Sequence, residues 1–131
     1  MFGKKVSDSY TIMTELVMQS HINGSGRLFG GQLMAWMDIA GGICAKRHSN
    51  RDAVTARVEK IDFYHAVKAN DIVVIRAKLV SVGTTSMRIH IKVEVENYLA
   101  NLEKNKVCEA TFTFVAIDED GKKQSVPILI D

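Results

Sequence analysis

L-F-G-G-Q-L-M-A-W-M-D-I-A-G-G, residues 28–42, decides how this chain folds. Its one ionisable residue is Asp38, set among leucine, methionine, alanine, tryptophan and paired glycines. Carried on to Ala45, the run reaches 18 residues with no second charge, close to the lower limit for a membrane-spanning helix. Gln32, the mid-run carboxylate and Gly30, Gly31, Gly41 and Gly42 argue against spanning. A charge at the bilayer centre is costly, and no second span is present to shelter it. A helix buried inside a soluble protein fits better. From residue 31 to residue 48 there is no proline, and the run ends in Lys46, Arg47 and His48, cations that suit the negative end of a helix dipole. Apolar residues lie on nearly every side, so the helix is expected to be wrapped, not merely laid on a surface.

Upstream, residues 10–18 alternate loosely and read as a first strand. Q-S-H-I-N-G-S-G-R, residues 19–27, is an irregular loop marked by Asn, Ser and two glycines. Downstream, strands are expected over residues 53–63, 72–82, 87–95 and 107–117. The third of these is the clearest: Met87, Ile89, Ile91, Val93 and Val95 fall on one face, Arg88, His90, Lys92 and Glu94 on the other. Strict period-two alternation of that length is a half-buried strand. Asn70-Asp71 and Gly83 mark turns, and residues 97–105 form a polar connection. Short connections favour antiparallel hairpins. The order is one strand, one helix, then a run of strands. This is an α+β arrangement in which a curved antiparallel β-sheet wraps around one long buried helix. Such a sheet has free edges that need pairing, so dimerisation through an edge is expected.

Residues 1–131 suit a single domain, and apolar (47%) and charged (24%) shares are those of ordinary globular chains. A net charge of +2, with basic residues scattered, gives no case for nucleic acid. The start M-F-G-K-K-V-S-D-S-Y has no apolar run behind its lysines, unlike a secretory signal. Cys44 and Cys108 lack the spacing of a zinc site or disulfide framework; no metal is expected, and both read as buried thiols of a reducing compartment.

These elements resemble the hotdog fold, specifically its cytosolic acyl-CoA hydrolase group. The likeness rests on residues 28–42, on V-T-A-R-V-E-K-I-D-F (residues 54–63) and on E-A-T-F-T-F-V-A-I-D (residues 109–118), in the order that group shows. The resemblance implies an acyl-CoA thioesterase: a cytoplasmic homo-oligomer, dimer or trimer of dimers, whose active sites lie at the dimer interface. Coenzyme A is then substrate and product, with no separate cofactor. Family members use an Asn in the loop before the helix, an Asp within it and often a Thr at the start of the next strand. The matching positions here are Asn23, Asp38 and Thr55.

Thioester hydrolysis needs an activated water, a stabilised oxyanion and a held leaving group. Asp38, beside Met34, Trp36, Met37 and Ile39, is expected to be partly desolvated and to act as general base, or else as a nucleophile forming an anhydride. Asn23 offers an amide to orient the water or polarise the carbonyl, though Asn-Gly is also simply a turn dipeptide. The Thr55 hydroxyl can hold the water, yet Thr is equally a good strand residue. Backbone N–H groups at Gly30 and Gly31 suit the oxyanion, because first-turn donors have no helical partner. Arg57, Lys60, Thr84, Ser86 and Arg88 are candidates to meet the anionic CoA, and a solvated strand face explains them as well. Arg27 stands where related sequences vary, and serves either CoA phosphates or solvent. His48 reads as a helix-end residue, while His21 and His65 sit in loops. Trp36 and the methionines are candidates to line the acyl chain. Two other readings compete: a hydroxyacyl dehydratase, whose His and acid this helix does not supply, and a non-catalytic acyl-CoA sensor.

Overall fold

The structure, a computed structural model, describes residues 3–96 and 105–131. Its elements are β1 (Thr11–Leu16), α1 (Gly30–Ser49), β2 (Asp52–Phe63), β3 (Ile72–Val82), β4 (Ser86–Glu96) and β5 (Lys106–Ile117), with 3-10 turns at Val6–Asp8 and Gln19–His21. Apart from Asn105, the expected polar connection lies outside the described residues. β4 carries the alternation that announced it: Met87, Ile89, Ile91 and Val93 have no accessible surface, while Arg88, His90, Lys92 and Glu94 take the other face. α1 extends one residue beyond the expected run at each end. Asn50 stops it in the left-handed region (φ 57°), where its N–H donates to the Lys46 carbonyl at 2.8 Å.

All strands pair antiparallel in the order β1-β3-β4-β5-β2, so α1 carries the chain from one edge of the sheet to the other. Leu33, Met37, Ala40 and Cys44, three or four residues apart, put one stripe of the helix into a core with Ile75, Ile89, Ile91, Phe112 and Phe114. Gly41 sets the closeness of that contact. A Cβ there would stand 2.7 Å from the Phe114 ring and 2.8 Å from the Ile91 side chain. Among the described residues, no helix is long and apolar enough to cross a membrane. Cys44 and Cys108 are free and buried, and desolvation pushes both thiols up, Cys108 to about 11. His48 is indeed a helix-end residue, fully buried, with Nε2 donating to the Pro127 carbonyl at 2.7 Å.

Two expectations change. The helix is covered along one side only. Ile39 is 52% and Ile43 36% exposed, on the same strip as the exposed Ala35, Asp38 and Lys46. A single concave sheet covers one stripe of a helix, and no other described element lies over the rest. The second change is at β2 and β3, which do not form a hairpin. β2 lies outside β5 at the sheet edge, so residues 64–71 travel across three inter-strand spacings, roughly 14 Å. On the way Val67 is buried and its carbonyl accepts the Leu28 N–H at 2.8 Å. The expected turn closes the crossing, with the Asp71 carboxylate accepting the Lys68 N–H at 2.9 Å.

β2 is irregular in a way that curves the sheet. Its pairing with β5 slips between Thr55 and Arg57 and again between Glu59 and Asp62, with Lys60 at φ 56°. Beyond it no described strand pairs, and Val54, Ile61 and Phe63 stay exposed.

Candidate active site

Thr55 and Asp38 meet. Thr55 is in register with the inward-facing Phe114, so its side chain leaves on the helix side of the sheet. Its hydroxyl donates a hydrogen bond to Asp38 Oδ1. Oδ2 of Asp38 has no partner among the described residues. The expectation of a desolvated carboxylate does not hold within one chain. Trp36 and Met37 turn toward the sheet, while Asp38 lies exposed on the bare strip beside Ile39.

Asn23 stands elsewhere, at the start of a tight loop that precedes the helix. Ile22 and Leu28 form an antiparallel bridge, and inside it the Asn23 N–H donates to the Arg27 carbonyl at 2.8 Å. Asn23 Oδ1 accepts the Ser25 N–H at 3.0 Å, the Ser25 hydroxyl at 2.7 Å and the Arg27 N–H at 3.2 Å. Two of those donors are backbone N–H groups, so the accepting atom is fixed as oxygen. The Nδ2 end then remains, a pure donor with no partner among the described residues. His21 anchors the loop by its ring edge on Trp36, 4.9 Å between centroids, and by accepting the Met18 N–H at 2.9 Å.

Beside Asn23 opens a cavity of about 330 Å³. Leu28, Leu33, Phe63, Val67 and Val107 make it apolar, and Asn23, Arg27, Tyr64 and His65 supply the polar groups. Gly30 lines it too, and a Cβ there would meet nothing within 4 Å. The Phe29 N–H is taken by the His21 carbonyl, whereas the Gly30 and Gly31 N–H groups open the helix and have no i−4 acceptor. Sequence reasoning did not find the walls from Phe63 to Val67, because residues 64–71 read as an ordinary connection. His65 offered the only hint; its Nδ1 donates to the Lys106 carbonyl at 2.8 Å.

Asp38 does not line this cavity. It stands eight residues after Gly30, about 12 Å along the helix axis. Within one chain the Asn23 cavity and the Asp38–Thr55 pair are therefore separate places. The residues proposed for CoA are spread more widely. Arg88 pairs with Glu59 at 3.0 Å, and Arg57 approaches the same carboxylate at 4.0 Å, on the outer face of the sheet. Lys60 sits over a small hollow with Asp62, His90 and Glu109. Thr84 lies in the β3–β4 turn and Ser86 opens β4, two strands from Thr55. None of the five lines the Asn23 cavity. No cluster of three or more His, Cys, Asp or Glu among the described residues is placed to hold a metal ion.

A helix laid across one concave face of a bulged five-stranded antiparallel sheet, with the acid on its bare side, defines a hotdog-fold protein. The family model described as "Thioesterase superfamily" matches residues 25–98. The chain belongs to that superfamily. It is 39% identical over 119 residues to the acyl-CoA thioester hydrolase YciA of Salmonella typhimurium, an alignment covering 89% of this chain and 90% of that one. A hexameric acyl-CoA thioesterase superposes with a TM-score of 0.92 at 32% identity, covering 98% of this chain and 82% of that one. An acyl-CoA hydrolase from Staphylococcus aureus, solved with butyryl coenzyme A and coenzyme A, superposes at 0.86 with 29% identity, covering 98% and 76%. That enzyme was also solved with an asparagine, an aspartate and a threonine each replaced by alanine. The three are separated by 15 and 17 residues, as are Asn23, Asp38 and Thr55.

Proposed function

We propose that this protein hydrolyses acyl-CoA thioesters to a carboxylic acid and coenzyme A, at a site shared between two copies of the chain. One observation carries the reading: the Asp38–Thr55 pair lies on an uncovered strip, about 12 Å along the helix from the Asn23 cavity. The matching trio of residue types and spacings in the Staphylococcus aureus acyl-CoA hydrolase supports it. Joining two β2 edges lays the bare sides of two helices together, and brings Asn23 of one copy toward Asp38 of the other. Covering the strip removes water from the carboxylate and buries Ile39 and Ile43 at once.

The roles follow from which atoms are free. Thr55 fixes Oδ1 of Asp38, leaving Oδ2 to take a proton from water as the oxygen attacks the thioester carbonyl. Negative charge then grows on the carbonyl oxygen, where Asn23 Nδ2 and the N–H groups of Gly30 and Gly31 can donate. Collapse of the tetrahedral species breaks the C–S bond, and the proton held by Asp38 passes to the departing thiolate. Asn23 acts on the carbonyl rather than as an acceptor for water, because its oxygen is fully engaged by the loop.

Free-thiol release from short, medium and long acyl-CoAs tests the activity; thiol release no faster than a blank across the panel favours the acyl-CoA sensor. Mixing Asn23→Ala with Asp38→Asn subunits tests the sharing. Half the re-formed dimers then carry one intact site, so activity returns to about a quarter of wild type. If each chain works alone, mixing gains nothing.

A further inference from the structure

The loop that carries Asn23 also carries a cation that no described residue neutralises. Arg27 faces Asn23 across the miniature hairpin closed by the Ile22–Leu28 bridge. Residues opposite one another in such a ladder send their side chains to the same face, with Cβ atoms about 4.5–5.5 Å apart. Both line the same cavity, and Arg27 is the only Lys or Arg among its walls. No Asp or Glu lines it. Glu109, which accepts the Tyr64 hydroxyl at 3.2 Å, is already engaged by Lys106 and by His90 at 2.6 Å. The Arg27 guanidinium has no hydrogen bond or ion pair among the described residues.

A guanidinium beside a cavity with mixed apolar and polar walls is stable while water reaches it. When substrate and a second copy close over the cavity, the charge loses that water, and an anion must replace it. We infer that Arg27 recognises an anionic group of the thioester substrate, either a phosphate of coenzyme A or a carboxylate at the far end of the acyl chain. This rests on the hydrolase reading, and makes Arg27 a residue that selects substrates by charge on the Asn23 side of the site.

Three thioesters separate the sources: butyryl-CoA, succinyl-CoA and S-butyryl-pantetheine, the last without phosphates. In Arg27→Gln, a KM raised about tenfold for both CoA esters and unchanged for the pantetheine ester assigns the contact to phosphate. A rise confined to succinyl-CoA assigns it to the acyl carboxylate. Arg27→Lys keeps the charge and recovers part of the loss in either case. Equal KM values across the panel overturn the inference, as does an equal rise for all three, which reports a disturbed loop instead. If the wild type hydrolyses none of the three, the hydrolase reading fails. Calorimetric Kd values for the same compounds, wild type against Arg27→Gln, then decide the Arg27 contact by the same pattern.

Discussion

The two long sides of α1 are built from similar residues and meet opposite fates. Leu33, Met37, Ala40 and Cys44 on one side retain at most 3% of their surface, locked against β3, β4 and β5. Ile39 and Ile43 on the other keep 52% and 36%, and the helix's one carboxylate, Asp38, is exposed on the same side. Fully burying an isoleucine is worth about 1.5–3 kcal/mol, so leaving two half-bare is a cost that the proposed pairing with a second copy would remove. The covered side builds the fold. The bare side carries the Asp38–Thr55 pair on which the proposed chemistry rests.

Asp38→Asn is the sharpest way to break that contrast. The side chain keeps its size and its contact with Thr55, but cannot take a proton. Turnover should fall by about 10²–10⁴-fold in the thiol-release assay, with the melting temperature held. Wild-type turnover would remove Asp38 from the chemistry. Ile39→Asp places a second charge on the bare strip, where no described residue offers it a partner. It should dissociate the assembly in sedimentation or light scattering, and lower activity at least about tenfold, while the separated chain stays folded. An assembly that survives this change is held by some other surface.

Gly41→Ala probes the covered side. The added Cβ pushes on Phe114, itself 2% exposed, and should cost about 1–3 kcal/mol in denaturant unfolding without loosening the assembly. The smallest effect belongs to the outer face. Hydrogen bonding from Lys106, and then from His90, holds the Glu109 carboxyl below its ordinary value near 4.5, against some desolvation. A depressed carboxyl adds stability at pH values above its unfolded-state value, and that addition is lost as pH falls through the folded one. Wild type should therefore lose melting temperature more steeply below about pH 4.5 than Glu109→Gln. Parallel acid limbs would mean that the cluster contributes nothing.

Much of this was legible in the residues alone. The alternation from Met87 to Val95 placed β4 and its inner face, and the proline-free run ending in Lys46, Arg47 and His48 placed α1 to within a residue at either end. Asn23, Asp38 and Thr55 came from motif likeness, and of these only Asp38 and Thr55 touch within one chain. Periodicity reports which residues seek cover but not what supplies it. The tertiary structure decided that β2 leaves β3 for the far edge, so that residues 64–71 wall a cavity instead of making a hairpin. It also decided that Asp38 faces outward and that Arg27 stands opposite Asn23. Those outcomes depend on strand order and on the surface left over once the sheet is full, and neither is encoded in any one segment.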